Sequence, residues 1–425
     1  MTLSIKSEIK DQIKETQASF YYGYIIVLAC FFLQILMFGP RGSFGVFINP
    51  LTSEFNWSRA LISGAFSLSS VITGMSSILM GGLNDRLGPR KVLTLCGILV
   101  GSGLILMSLV NSAWQLYFFY VVFIGVGMGG LYAPQMSTVA RWFVKRRNIM
   151  TGILMSGGGL GGLIGPPLIT WLIYNCGWRD AFLFVGIVVF LLIILAAQFL
   201  KRDPSEIGRT PYGETDINNT TIQFSIAGFS LKNVLRTRQY WMFAIAIFCF
   251  GFSHSTLLVH IVPHSIDHGI SATAAAFILS TMSGAMTLGS IAIGLIADRI
   301  GSRKAFITCF FLLSAVGLFL LPATSALFFG LVALVMAFGS GGIAVIESSM
   351  AASLFGMNAH GAILGSIVFA FTLGGSLGPF LAGLIFDITG NYQLAFLFCT
   401  VLIVIAILMV ISLLRLSVQA DQHKT

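Results

Sequence analysis

The chain has 425 residues, of which 56% are hydrophobic and 9% are charged, and its mean hydropathy is +0.92. Soluble domains carry about 25% charged residues, so a globular protein in water is excluded. The net charge of +9 would suit a nucleic acid or an anionic surface, but the basic residues lie in alternate loops, which indicates membrane topology instead. We therefore expect a lipid bilayer as a partner and no nucleic acid.

Apolar segments long enough to cross a bilayer follow one another along the whole chain. A spanning helix needs about 20 apolar residues. The predicted spans are 22–47, 60–79, 92–110, 115–140, 149–174, 181–200, 240–262, 274–296, 305–321, 326–355, 361–385 and 394–414. The pattern predicts an all-α membrane protein with twelve transmembrane helices in two six-helix halves.

A long polar stretch separates the sixth predicted span from the seventh. We predict a cytoplasmic N-terminal segment 1–20 with the pattern of an interfacial helix, an N-terminal half 21–200, a cytoplasmic linker 201–239, a C-terminal half 240–415 and a cytoplasmic tail 416–425. Lysine and arginine concentrate in the loops on the side of the termini. The positive-inside rule then places both termini in the cytoplasm.

An internal repeat relates the two halves. The stretch GGLNDRLGPRK starts at Gly81 and GLIADRIGSRK starts at Gly294, an offset of 294 minus 81, or 213 residues. The same offset separates Gly152 from Gly365. Two equivalent six-helix halves predict a substrate site between them and alternating access by rocking of one half against the other.

The two G-x-x-x-D-R-x-G-x-R-K loops resemble the signature of the major facilitator superfamily. Within it, RWFVKRRNIMTGILMSGGGLGG from Arg141 and the opening YYGYIIVLACFF resemble the monocarboxylate transporter branch and its bacterial relatives, including oxalate/formate exchangers. The resemblance implies a multi-pass secondary transporter in a bacterial inner membrane, monomeric, with no catalytic residue, no cofactor and no metal. We expect conformational gating by the charged residues of the two loops, namely Asp85, Arg86, Arg90, Asp298, Arg299 and Arg303. Each aspartate can pair with a nearby arginine or cap the N-terminus of a neighbouring helix.

Arg41 is the only charged residue between Glu15 and Glu54, and it follows about 20 residues of apolar chain. Intramembrane charges usually face a cavity or a partner, and a guanidinium can hold a carboxylate through two hydrogen bonds. In the family that the chain resembles, the matching basic residue of helix 1 is implicated in carboxylate recognition. The alternative is an arginine that extends to the outer interface beside Pro40.

Glu347 is the lone charge of the tenth span, and burial of a carboxyl group favours its protonated form. We therefore predict Glu347 as a proton-coupling residue, with His254 of the seventh span as a second one. The alternative for Glu347 is a structural carboxylate bonded to Ser348 and Ser349.

Two further residues are candidates for substrate binding. His260 can donate a hydrogen bond to a carboxylate, and Tyr132, just before Pro134 on the fourth span, resembles a cavity residue of bacterial relatives. The alternative for both is helix packing. Pro263 is expected to break the seventh helix between His260 and the next histidine, which argues against a metal pair.

Many monocarboxylate transporters carry an aspartate and an arginine four residues apart on helix 8, where this chain has Met286 and Ser290. The helix-11 lysine of oxalate exchangers is also missing. With a single intramembrane arginine we predict a small carboxylate substrate, a lactate- or pyruvate-like monoanion, with the proton as coupling ion. The alternatives are organic anion exchange of the oxalate/formate kind, efflux of amphipathic drugs, and a transporter-derived membrane sensor. An enzyme is not expected, because no nucleophile with a base, metal set or nucleotide loop is found.

Overall fold

The computed structural model describes residues 21–213, 229–320 and 325–422, and nearly all of these residues are helical. The interfacial helix predicted within residues 1–20 lies outside the described residues. The long helices are labelled in chain order: α1 Gly23–Phe55, α2 Arg59–Leu87, α3 Pro89–Met107, α4 Ala113–Trp142, α5 147–176, α6 178–198, α7 Arg238–Asp267, α8 Ala272–Ile300, α9 Ser302–Leu313, α10 Ala326–Phe355, α11 His360–Thr389 and α12 Gln393–Gln422.

The helices correspond closely to the predicted spans, with two differences that concern the count. Helices α5 and α6 form one continuous run of 52 residues, Arg147–Gln198, in which Gly177 leaves the helical conformation with φ 83° and ψ 162°. The ninth predicted span consists of α9 followed by a short 3₁₀ segment, Ser314–Leu320. Ten helices of the described chain are long and apolar enough to cross a membrane when that run is taken as one. Twelve crossings therefore stay a prediction.

Proline residues lie inside two of the helices without ending them. Pro263 was expected to break the seventh helix, and this expectation is wrong, because α7 continues through it to Asp267. The lost backbone hydrogen bond is tolerated because Ile261 and His264 on either side are buried against neighbouring helices. In α1, Pro40 precedes a local change at Ser43, where the backbone has φ −92° and ψ 0° and the hydroxyl donates to the Gly39 carbonyl over 2.7 Å.

Glycine allows α1 and α5 to approach each other closely. A Cβ atom placed on Gly161 would lie 2.6 Å from the carbonyl oxygen of Ile35, and one on Gly165 would lie 2.6 Å from that of Gly39. These distances are shorter than any real Cβ contact, so only glycine fits. Small residues at a helix interface bring the two backbones together, which is how helices associate in lipid. The result is a rigid pair that holds the end of α1 in place.

Two helix pairs join the N-terminal helices α1–α6 to the C-terminal helices α7–α12: α2 packs on α11 and α5 packs on α8. We call this contact the seam. The Ser77 hydroxyl donates to the carbonyl of Gly365 over 2.6 Å, and the Ser290 hydroxyl donates to that of Gly152 over 3.3 Å. The two serines are 290 minus 77, or 213 residues apart, and the two glycines are 365 minus 152, also 213. The sequence repeat is thus a two-fold relation between contacts.

The seam is tight at one end only. We call the end of the bundle that carries Asp85 and Asp298 the motif end. From there the contact extends to Gly159 of α5, which faces Thr287 of α8. One turn further, a Cβ on Gly162 would meet no atom within 4 Å. The helices therefore separate toward the opposite end.

Candidate functional site

The aspartates of the two motif loops cap helices on the other side of the seam. Asp85 accepts from the first backbone amides of α11, with distances of 3.0 Å from Gly361 and 2.9 Å from Ala362. Asp298 accepts from the start of α5, over 3.0 Å from the amide of Asn148 and 3.0 Å from that of the next residue. A carboxylate at a helix N-terminus is stabilised by the helix dipole and by charge-assisted hydrogen bonds. Of the two geometries expected for these residues, capping is the main one.

Arg141 is a further residue of the motif end that the sequence reasoning did not assign. Its guanidinium donates to the carbonyl of Met357 over 2.8 Å, lies 3.4 Å from Asp203 and lies 4.0 Å from Asp85. Its side chain is only 14% exposed. Arg141 thus ties the end of α4 to the loop before α11 and to the linker. Its place in the RWFVKRRNIM motif was the only available signal.

The other predicted gating residues lie around this contact. Arg90 donates from Nε to the side-chain oxygen of Gln198 over 2.7 Å and so stays within the N-terminal helices. Arg86 and Arg299 are exposed, and Arg303 is half-buried. The geometry distinguishes the two aspartates, which cross the seam, from these four arginines. A role of all six in gating stays a prediction.

Arg41 lies in α1 immediately before the change at Ser43, and its side chain is half-buried. One guanidinium nitrogen, Nη2, lies 3.4 Å from the Ser70 hydroxyl oxygen, a long contact. None of the ion pairs formed by the described residues involves Arg41. An intramembrane cation with so little compensation is poised to bind an anion.

A pocket opens beside this guanidinium, inside the bundle of α1–α6. Its room is about that of one or two water molecules. It is lined by Pro40, Arg41, Phe44, Phe47, Phe66, Ser69, Ser70, Leu104, Tyr120, Ile124, Met128, Ile169, Phe182 and Val185. Every lining residue precedes the linker, so this pocket is not part of the seam.

Tyr132 and Glu347 meet at the seam, where α4 faces α10. The Tyr132 hydroxyl donates to the carbonyl of Ala344 over 3.3 Å, one helical turn before Glu347, and it interacts electrostatically with that carboxyl group. Glu347 is 5% exposed, and within the described chain no donor contacts its Oε1 atom. The structure therefore brings these two predicted residues together.

The alternative environment considered for Glu347 is not the one found. Ser348 donates instead to the carbonyl of Met136 over 3.5 Å, and Ser349 donates to the side-chain oxygen of Asn148 over 2.5 Å. Both serines serve contacts across the seam. Arg41 faces a pocket of α1–α6, and no ion pair among the described residues links it to Glu347.

The predicted histidines are held by neighbours within the C-terminal helices. His254 Nδ1 lies 3.2 Å from the Ser340 hydroxyl. His260 has partners at both ring nitrogens, the Tyr392 hydroxyl at 3.2 Å and the carbonyl of Pro379 at 3.0 Å. This environment is that of a packing histidine, from which a substrate would have to displace one partner. Among the described residues, no group of three potential ligands could hold a metal ion.

Comparison with known sequences places the chain among membrane transporters. The family model of the Major Facilitator Superfamily matches residues 30–268 and 243–425. The chain is 29% identical to monocarboxylate transporter 13 of Bos taurus, covering 88% of this chain and 85% of that protein. It is 26% identical to human monocarboxylate transporter 12, covering 89% and 78%, and 30% identical to the oxalate:formate antiporter of Oxalobacter formigenes, covering 72% and 70%.

Solved structures share the fold. A fucose:proton symporter of E. coli superimposes with a TM-score of 0.70 at 16% identity, covering 93% of this chain and 99% of that one. The human organic anion transporter MFSD10 superimposes with a TM-score of 0.63 at 18% identity, covering 92% and 97%. At these identities the likeness concerns the fold alone, and it bears out the expected all-α transporter architecture.

Proposed function

Because the chain belongs to the Major Facilitator Superfamily, with monocarboxylate transporters among its relatives, we propose that it carries small monocarboxylates of the lactate or pyruvate kind. It is a membrane transporter and not an enzyme. Transport proceeds by alternating access and is coupled to protons. We place it in a bacterial inner membrane, as a monomer with both termini in the cytoplasm.

The observation that carries the substrate class is the environment of Arg41. A guanidinium within a spanning helix has one long contact to Ser70 and faces a pocket. A carboxylate would supply the missing negative charge and accept two parallel hydrogen bonds. The proposal takes a monoanion because the pocket offers one cation, which would leave the second charge of a dianion uncompensated.

The seam supports alternating access. Its closed part is held by carboxylates on helix N-termini, which are reversible contacts, and its other part is already separated. If the motif end is cytoplasmic, as the basic loops predict, this form opens to the outside. Glu347 lies in the part that must open for release. A buried carboxyl group that reaches water only in one form can take up and release a proton once per cycle.

Exchange of two anions without net proton movement is a second candidate function. The oxalate:formate antiporter has the highest identity of the three relatives compared above, at 30%. An exchanger requires a bound anion for the return of the empty form. It would show strong stimulation by unlabelled anion on the opposite side and little response to a pH gradient.

The test is uptake of labelled lactate and pyruvate into proteoliposomes, with and without an inward proton gradient. Wild type is compared with Arg41→Gln and with Arg59→Gln, a matched loss of one cation at an exposed position that contacts only Asn49. We expect uptake to be lost in the first variant and retained in the second. Wild type that moves neither compound under any gradient would refute the monocarboxylate assignment.

Proton coupling is tested separately with Glu347→Gln, and Glu206→Gln on the exposed linker is the matched control. We expect Glu347→Gln to lose stimulation by the proton gradient while it retains exchange of labelled for unlabelled substrate. Retained gradient stimulation in this variant would rule out Glu347 as the proton site. Gradient independence in wild type together with strong exchange would favour the second candidate function.

A further inference from the structure

We propose that Tyr120 is a second hydrogen-bond donor to the substrate carboxylate, and that aromatic walls around Arg41 and Tyr120 restrict the substrate to short chains. This inference rests on the proposed monocarboxylate transport. It places the anion inside α1–α6 rather than between the two sets of helices. It also assigns selection by chain length to particular residues.

Tyr120 has the character of a binding residue. It is 5% exposed and lines the same pocket as Arg41, with which its hydroxyl interacts electrostatically. Within the described chain its hydroxyl has no hydrogen-bond partner. A buried tyrosine hydroxyl normally has one, so this group is available to an oxygen that enters the pocket.

Ser70 has a different role, which follows from its own hydrogen bond. Its hydroxyl donates to the carbonyl of Phe66 over 3.1 Å, so its proton is already used. The oxygen is left to accept from Arg41 Nη2 at 3.4 Å. Ser70 therefore orients the guanidinium, whose remaining N–H groups stay available to a carboxylate.

Aromatic rings enclose the two donors. Phe44 stacks on Phe66 with ring centroids 5.2 Å apart and lies 4.5 Å from the ring of Tyr120. Phe47 stacks on Phe182 at 3.8 Å on another wall. The remaining room, about one or two water molecules, fits a carboxylate group and little more. Each additional methylene must displace a ring, which disfavours longer chains.

The position of the pocket has a mechanistic consequence. All its walls belong to α1–α6, so opening and closing of the seam need not break the contacts of the carboxylate. The anion would move together with the N-terminal helices. The C-terminal helices would then control access and protonation rather than anchor the charge.

The first test is Tyr120→Phe in the proteoliposome assay. Its matched control is Tyr117→Phe, one turn earlier on α4, because the Tyr117 hydroxyl donates to the carbonyl of Leu61 over 3.0 Å and does not line the pocket. We expect KM for pyruvate to rise about tenfold in Tyr120→Phe with kcat unchanged, the effect of one lost hydrogen bond to a charged group. KM of the control should stay within about twofold of wild type.

The second test is Phe66→Ala with a chain-length series of acetate, propionate, butyrate and valerate. We expect wild type to prefer the two shortest acids by about tenfold per added methylene, and the variant to accept butyrate nearly as well as acetate. Both variants are first checked by size-exclusion chromatography. An unchanged KM in Tyr120→Phe, or an unchanged chain-length profile in folded Phe66→Ala, would overturn the inference while wild-type transport persists. Absence of wild-type transport would instead refute the proposed function.

Discussion

Replacing Asp298 by asparagine should weaken the form of the transporter that is closed at the motif end. The carboxylate accepts from the Asn148 amide at 3.0 Å, from the Asn148 side chain at 2.9 Å and from the Ile149 amide at 3.0 Å. Asparagine keeps one acceptor oxygen and loses the charge. A hydrogen bond to a charged group contributes about 1.5–3 kcal/mol, and the helix dipole adds about 0.3–1 kcal/mol.

The residue is partly exposed, so we take about 1.5–2 kcal/mol for the net loss. Every 1.4 kcal/mol is a factor of about ten, so the ratio of closed to open forms at the motif end should fall about 10- to 30-fold. The related variant Asp85→Asn should act in the same direction. Because the two caps lie on different helix pairs, we expect their effects to add.

Spin labels on opposite sides of the separated part of the seam can measure this shift. Cysteines replace Gly162 on α5 and Gly284 on α8, where a Cβ has open space, and Cys176, the exposed native thiol, is changed to serine. The five other cysteines are buried. In Asp298→Asn, double electron–electron resonance should show a growing population at shorter distance, because closure here accompanies opening at the motif end.

Arg299→Gln is the control for this measurement, since it removes a charge from the next residue, which is exposed. It should leave the distance distribution as in wild type. An unchanged distribution in Asp298→Asn would refute the reasoning that the cap holds the motif end closed. So would an equal shift in both variants, which would point to loop charge in general.

Three further perturbations have expected outcomes. Gly152→Val places a side chain against the backbone of α8, and the same spin labels should report a shift like that of Asp298→Asn. Arg179→Gln removes a pair with Glu54 at 2.7 Å at the opposite end. Both partners are about one-third or more exposed, so thermal unfolding should report a loss of only about 1 kcal/mol. Tyr212→Ala removes the linker side chain that packs beside the loop before α5, and limited proteolysis should then cleave the linker faster than in wild type.

The repeat in the sequence contained more of the seam than the individual motifs did. An offset of 213 relates Asp85 to Asp298, and the same offset relates Asn148 to Gly361, the residues that they cap. The repeat predicts that a contact made on one side recurs on the other. It does not say which positions touch, because their partners lie up to 277 residues away in the chain.

The environments of the charged residues could be predicted only in part. Helical spacing indicated that Arg41 is buried in a span, but the rotation of α1 decides whether it faces the seam or the pocket. That rotation is set by the close packing of Gly161 and Gly165 on α1, a tertiary effect. For Glu347, the neighbouring serines were the nearest hydroxyls in sequence, yet they are used by contacts to α4 and α5. Local sequence cannot rank such competing partners.

The reciprocity of the seam is that of an isologous dimer interface, in which a patch on one subunit contacts the equivalent patch on the other. Within one chain the two patches can differ, and one pair of positions shows it. Gly74 of α2 faces Thr372 of α11, whereas Thr287 of α8 faces Gly159 of α5, so the small and the larger residue have exchanged sides. In a true homodimer such an exchange is impossible without doubling it. A fused pair can therefore adjust one side of its interface for substrate entry and the other for closure.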